Sequence, residues 1–528
     1  MIRFSARGFV PRAIVWGAIF AVLSSCAVTG PRSDGDGAEL PHRARRVFAA
    51  SLDQVQDRYV RSVDMGQLVE LGVVQVVRLD PEARLSLRRV GDSLELQVAG
   101  EPTPRTVATA SGGTAGWAAA AVTAIEAARG RSAALRTLDA ERTQQAFFEG
   151  MVKGLDSYSR YTSPEAAREE RAQREGFGGL GIVIDTENGD VRIATVMEDT
   201  PAARAGLRPD DRILTIDGEP TQGMVARDVV RRLRGAIGST VEIRVRRADR
   251  PAGITVALVR AHIVPQTVSY RAVGDVAHIR VTGFNHRTTE TLVETLRRAE
   301  REIGPGMSGV VLDLRNNFGG YLDQAIYVAD LFLAEGTIVS TRGRHRTVTQ
   351  ESWARRGDIG ERTPLVVLIN GNSASASEIV AAALQDNNRA VVIGTASFGK
   401  GSVQSILPLP NEGELILTSA RFHAPSGYAL SELGVLPHLC TTGGRASAAT
   451  LVQQLRGGQF ADQAAARRWR SIGIDDPEAR RRLRAQSCAG DTAEHESDLE
   501  LARAILADRS LHAMALASTA TLATATPR

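Results

Sequence analysis

Three short runs of nearly unbroken apolar residues constrain the fold of this chain most: Val310-Val311-Leu312-Asp313-Leu314, Leu365-Val366-Val367-Leu368-Ile369 and Ala390-Val391-Val392-Ile393. A strand without polar alternation reads as buried on both faces. Between the second and third runs lies an Ala-rich stretch, Ser375 to about Asp386, which reads as a helix. Strands alternating with helices predict an α/β core over about residues 263–440, with reactive groups on the loops at the strand ends.

Those loops are unusual. Of the 64 Lys and Arg residues only Lys153 and Lys400 are lysines, and Lys400 stands between two glycines in Ser397-Phe398-Gly399-Lys400-Gly401. A desolvated Lys can lose its proton and act as a base, whereas Arg cannot. Upstream, Asn372-Ser373-Ala374-Ser375-Ala376-Ser377-Glu378 follows the second apolar run and opens the helix, where free N–H groups and the positive end of the macrodipole favour a nucleophile. The combination suggests a Ser–Lys pair in which the amine activates the hydroxyl. A loop charge beside solvated serine caps is the plainer alternative.

At 528 residues the chain exceeds one ordinary domain. A formal charge of +4, with arginines interspersed among 60 acidic residues, leaves no stripe for nucleic acid. The nine histidines show no metal-ligand spacing, so neither a metal nor another cofactor is expected. Arg3, Arg7 and Arg12 precede an apolar segment at 13–23, too short for a comfortable membrane span, and residues 1–25 read as a signal peptide. Leu23-Ser24-Ser25-Cys26 resembles a bacterial lipobox, which would make Cys26 the lipidated first residue of an exported, periplasmic protein anchored to a membrane. Residues 26–41, rich in Gly, Pro and Asp, read as a flexible tether. In an oxidising compartment Cys440 and Cys488 could pair.

Residues 42–175 read as an N-terminal helical region with a β-like insertion: a helix over 42–70, β-like sequence over 71–100 with a turn at Gly91-Asp92, then a small-residue stretch and Ala-rich helix to about 172. From 176 to 262, the "GLGI" of residues 179–182 and the "AGLRPDDRILTIDG" of 205–218 resemble a PDZ domain. That resemblance implies capture of a polypeptide C-terminus, with the N–H groups of Leu180, Gly181 and Ile182 on the carboxylate and an exposed sheet edge accepting the tail as an added strand.

The motifs "DLRNNFGG" (313–320), "NSASASEIVAAALQDNNRAVVIG" (372–394), "SFGKGSVQ" (397–404) and "LTSARFHAPSG" (417–427), with "GLDSYSRYTSPE" (154–165) upstream, closely resemble the C-terminal processing peptidases, or tail-specific proteases. The resemblance implies a multidomain α/β protein in which a PDZ domain precedes an α/β peptidase core. It implies Ser375 as nucleophile, Lys400 as general base, Gln404 as the residue orienting the lysine, and the N–H groups of Gly320 and Ala376 as oxyanion donors. Glu378 and Asp386 match acidic positions of the motif and are read as structural supports. The chain departs from the pattern at Phe318, where Pro is usual, at Pro437-His438, where Pro-Asp is usual, and over 428–435. His423 is read as a satisfied structural histidine. Residues 441–528 read as a helical extension with a disordered last dozen residues; it could cover the core, dock an adaptor protein or self-associate into a homo-oligomer. The implied activity is a serine endopeptidase acting on exported proteins held by their C-termini; the competing class is an inactive PDZ scaffold or adaptor at the membrane.

Overall fold

The computed structural model describes residues 36–187, 189–355, 359, 363–444, 447–458 and 463–520. The signal-peptide segment and Cys26 lie outside the described residues. Helix Asp36–Arg58 begins inside the stretch read as a tether, and the helix expected over 42–70 is in fact two. Asp64 ends the break between them, its Oδ1 accepting the N–H of Gln67 at 3.1 Å to cap helix Met65–Val77. This second helix runs through Leu71–Val77, the start of the stretch expected to be β-like, and does so despite the β-branched Val73, Val74, Val76 and Val77. Leu68, Val69, Val73, Val76 and Val77 fall on one helical face and are all buried, so tertiary burial outweighs β propensity here.

The β insertion is an antiparallel meander, Leu85–Val90, Ser93–Val98 and Arg105–Thr109, turning at Gly91-Asp92. Its Leu87, Leu94 and Leu96 join Phe48, Phe147 and Phe148 in one core, which Leu409, Leu415 and Leu417 of the later chain complete. Expected Ala-rich helix beyond residue 151 gives way to a loop, the short strand Arg160–Thr162 and helix Pro164–Glu175.

Residues 182–259 form an antiparallel sheet in the order Arg250–Val259, Thr240–Arg247, Arg212–Ile216, Asp190–Val196, Ile182–Glu187, with helix Ala226–Leu233 packed on its core. Strand Ile182–Glu187 is an edge, the position from which a peptide can be added.

The following region carries a six-stranded sheet in the order Val268–Val273, Val276–Val281, Gly309–Asp313, Leu365–Ile369, Val391–Gly394, Leu439–Cys440; all pairings after the first are parallel. Helices Thr288–Ile303, Leu322–Asp330 and Ala376–Asp386 bury one face. The other face, with Val311, Val366, Leu368 and Ile393, is covered by Leu455, Leu501, Ile505 and Leu511 of the C-terminal extension. The extension therefore supplies the third layer of an α/β/α sandwich, and helix Arg509–Ala520 runs into the stretch expected to be disordered. A disulfide joins Cys440, at the end of the sheet, to Cys488 in the extension. A second, antiparallel sheet, Gln350–Trp353, Thr337–Gly343, Glu414–His423, Ser402–Pro408, flanks the first. No helix among the described residues is long and apolar enough to cross a membrane.

Candidate active site

Ser375 sits at the turn from strand Leu365–Ile369 into helix Ala376–Asp386, with φ 58° and ψ −115°. A side chain at positive φ carries backbone strain of about 1–3 kcal/mol and persists only where the surroundings enforce it. Here they do: Ala374 donates its N–H to Asn317 O (2.9 Å), Ser373 Oγ donates to Leu314 O (2.8 Å) and Ser377 Oγ donates to Asn317 O (2.8 Å). The strand-end loops of the apolar runs are thus sewn together around the serine.

Glu378, fully buried in the first turn of the helix, organises what surrounds it. Its Oε2 accepts the N–H of Ser375 at 2.7 Å and that of Lys400 at 2.9 Å. Its Oε1 accepts Ser397 Oγ at 2.5 Å and the Gly399 N–H at 2.7 Å. Desolvation pushes this carboxyl up, and the four donors hold against that shift. One carboxylate oxygen therefore fixes the backbones of Ser375 and Lys400 side by side. The family motif marks Glu378 as a structural support; its offset of three from Ser375, the spacing of a capping box, is the signal in the sequence for this closer role.

Lys400 is half-buried, its Nζ 5.7 Å from the centroid of the Tyr158 ring. Burial pushes its pKa down, and the neighbouring Arg160 guanidinium pushes the same way; Glu378 and Asp156 oppose them. Gln404, on strand Ser402–Pro408, donates from Nε2 to Thr418 Oγ1 at 3.0 Å.

Gly319 and Gly320 form the opposite lip, at φ 100° and 147°. A Cβ at Gly319 would stand 2.9 Å from the Ser375 Cβ, and one at Gly320 would stand 2.1 Å from Phe284 O, so neither position admits a side chain. Among the described residues the N–H groups of Gly320 and Ala376 make no hydrogen bond, and both are available to a ligand. Phe318 is 69% exposed at this lip. Ser375, Ala376, Lys400, Gln404, Gly319 and Gly320 all line one cleft of about 930 Å³.

A second groove of about 800 Å³, lined by Leu180, Gly181 and Ile182, shares Gln173, Arg174, Gly319 and Gly320 with this cleft. Gly181 has φ 81°, and a Cβ there would lie 2.3 Å from Thr200. Two histidines that could suggest other chemistry lie outside the cleft lining. His438 is 1% exposed, its Nδ1 accepts the Val392 N–H at 2.9 Å, and burial pushes it down to about 3. His423 is pushed down to about 4, chiefly by burial, and its buried Nδ1 has no hydrogen-bond partner among the described residues.

Sequence comparison agrees with this architecture. The family Peptidase family S41 matches residues 275–441 and the family PDZ domain matches residues 192–247. A carboxy-terminal-processing protease of Bartonella bacilliformis is 41% identical over 303 residues, 57% of this chain and 70% of the relative. The chain belongs to the carboxy-terminal-processing protease family. It is a serine-type peptidase with a PDZ domain ahead of its α/β peptidase domain. A carboxyl-terminal-processing protease of Synechocystis sp. is 36% identical over 305 residues, 56% of this protease and 70% of the relative. Among solved structures, a photosystem II D1 C-terminal processing protease aligns with TM-score 0.35 and 27% identity over 59% of this chain and 85% of its own.

Proposed function

We propose that this protease cleaves exported proteins, held by their C-termini, through acyl transfer at a Ser375–Lys400 dyad. The observation that carries the reading is the Glu378 carboxylate binding the N–H groups of both residues at the mouth of one cleft, with the Lys400 pKa lowered by burial. Neutral Lys400 takes the Ser375 proton, and Ser375 Oγ forms a bond to the peptide carbonyl carbon. The resulting oxyanion accepts the N–H groups of Gly320 and Ala376, donors typically worth ~2.7–4 kcal/mol each. The Lys400 ammonium then protonates the leaving amine as the C–N bond breaks. Water, deprotonated by the again neutral amine, attacks the acyl carbonyl, and the ammonium returns the proton to Ser375 Oγ as the ester C–O bond breaks. Gln404 orients the lysine.

The substrate tail lies along edge strand Ile182–Glu187 with its carboxylate on the N–H groups of Leu180, Gly181 and Ile182; the groove and the cleft share a wall, which supports one chain running through both. Export through the segment at 1–25 and lipid anchoring at Cys26 fit the Cys440–Cys488 disulfide, a bond that forms and persists in oxidising compartments.

Mass-spectrometric mapping of cleavage in an unstructured protein with a small apolar tail tests the reading. Ser375→Ala, Lys400→Ala and Lys400→Arg should each lose roughly 10⁴-fold or more in kcat. Full activity in Lys400→Arg would rule out the lysine as base. Amidating the substrate tail should raise KM with little change in kcat, and an unchanged KM would remove the carboxylate-binding role of Leu180, Gly181 and Ile182.

A further inference from the structure

The segment 154–165 belongs to the motifs that mark the family, yet no role has fallen to its residues. It forms the back of the Lys400 pocket. Asp156 Oδ1 accepts the N–H groups of Tyr158 (2.8 Å) and Ser159 (2.9 Å) and the hydroxyl of Thr418 (3.0 Å). Thr418, 5% exposed, is further held by its own N–H donating to Ser159 Oγ (3.1 Å) and its carbonyl accepting the Val60 N–H (2.8 Å). Across the strands it pairs with Gln404, at a bulge where Ser419 is the extra residue between the Val403–Ala420 and Gln404–Thr418 pairs. Bulges re-aim side chains beside functional sites.

Hydrogen inventory then fixes the amide. A threonine hydroxyl has one hydrogen, and an ionised carboxylate only accepts, so the Thr418 hydrogen goes to Asp156. Thr418 Oγ1 is left able only to accept, which requires the NH₂ of Gln404 to face it, as the 3.0 Å contact shows. The Gln404 carbonyl must then face away from Thr418. That Oε1 is buried without a partner among the described residues, on a side chain lining the cleft with Lys400.

Building on the dyad reading above, we propose that Asp156 and Thr418 are positioning residues that lock the Gln404 amide so that its carbonyl, and not its NH₂, is presented to the Lys400 amine. The polarity matters in both halves of the cycle. A carbonyl accepts from the amine or the ammonium and leaves the amine lone pair free for the Ser375 proton. A reversed amide would donate to that lone pair and oppose protonation. The charged and titratable groups facing Lys400 are Arg160 from strand Arg160–Thr162, Asp156 and Tyr158 from the loop before it, and Glu378 from helix Ala376–Asp386. Withdrawing the carbonyl removes a stabiliser of the ammonium, and neutralising Asp156 removes another, so both changes drive Lys400 the same way.

The test uses the full chain and steady-state cleavage across pH. Thr418→Val, which keeps shape and deletes the hydroxyl, should lower kcat by roughly 10–100-fold, a part of the about 10²–10⁴ that a positioned base contributes, with KM little changed. The acid limb of its kcat profile should move to lower pH. Asp156→Asn should move it in the same direction, and Thr418→Ser should restore the wild-type profile. Wild-type kcat in Thr418→Val, a loss with the acid limb unmoved, or a Thr418→Ser as impaired as Thr418→Val would each overturn the proposal. Should circular dichroism show Thr418→Val unfolded, Thr418→Ala, which also deletes the hydroxyl, decides by the same criterion. Ser375→Ala and Lys400→Ala run alongside: if both are silent while Thr418→Val is normal, only the positioning role falls, whereas cleavage by Lys400→Ala overturns the dyad and this proposal together.

Discussion

Lys400 shares its pocket with Arg160, whose guanidinium lies close enough to depress the lysine pKa and is itself paired to Glu170 at 2.8 Å. Two cations in a partly desolvated cleft cannot both be charged cheaply, and Arg does not release its proton. Replacing Arg160 by Gln removes the repulsion and leaves Glu170 with Arg174 alone, at 3.5 Å, and both effects raise the Lys400 pKa. The acid limb of kcat/KM should therefore move to higher pH in Arg160→Gln, with activity at pH 6 falling more than activity at pH 9. A limb that stays in place would show that Arg160 does not set the amine. This shift is opposite in sign to the one expected for Thr418→Val, so the two variants separate charge repulsion from amide orientation.

The helices after the disulfide do more than close the sandwich. Helix Gln463–Ser471 places Trp469, 2% exposed, so that its Nε1 donates to Gly434 O at 3.2 Å. Gly434 lies against Ser397 and Glu378, and Ser397 Oγ, which donates to Glu378, accepts the Val435 N–H at 2.7 Å. Arg480, buried in helix Pro477–Ser487, donates to Ser431 O at 2.8 Å and to Ala429 O. Together they hold the loop over 428–435 against the carboxylate that positions Ser375 and Lys400. Truncating Trp469 to Ala should cost about 3–5 kcal/mol of stability. Thermal melting would register it, and kcat of the folded fraction should fall as well, because Gly434 loses its anchor. Retention of full kcat below the melting transition would make the extension a cover without a hold on the site.

Taken together, the layers bury groups that resist acid unequally. His438 titrates near 6.5 when unfolded but is held down to about 3 in the fold. The unfolded chain therefore binds the extra proton first, and stability is lost as pH falls from about 6.5 towards 3, at up to about 1.4 kcal/mol per pH unit. His423, pushed down to about 4, adds in the same direction. Glu378, raised by burial, works the opposite way above its unfolded value of about 4.5. Melting temperatures measured from pH 7 to pH 5 should fall, and the slope should be shallower in His438→Gln; equal slopes would remove His438 as the cause. The Cys440–Cys488 bond spans a sequence separation of 48 and closes the extension onto the sheet, so its reduction should cost at most about 4 kcal/mol and lower the melting temperature.

Much of this was legible locally. Apolar runs at 310–314, 365–369 and 390–393 announce buried strands because no half-exposed strand tolerates them, and the hairpin around Gly91-Asp92 follows from alternation and a turn pair. The serine- and lysine-bearing loops stand out by composition alone: two glycines around one of two lysines, and three serines at a helix mouth. What pattern could not reach depends on which surfaces meet. Residues 71–77 carry a β-branched run that favours strand, and only the aromatic core around Phe147 makes helix the better burial. The C-terminal helices read as amphipathic without showing what they cover, because the second face of the parallel sheet exists only once its strands are ordered. Glu378, Asp156 and Thr418 are ordinary polar residues in one dimension. Their work depends on hydrogen bonds between distant segments, such as the one from Thr418 to Asp156 across 262 residues, and the tertiary structure alone decides which donors meet which acceptors.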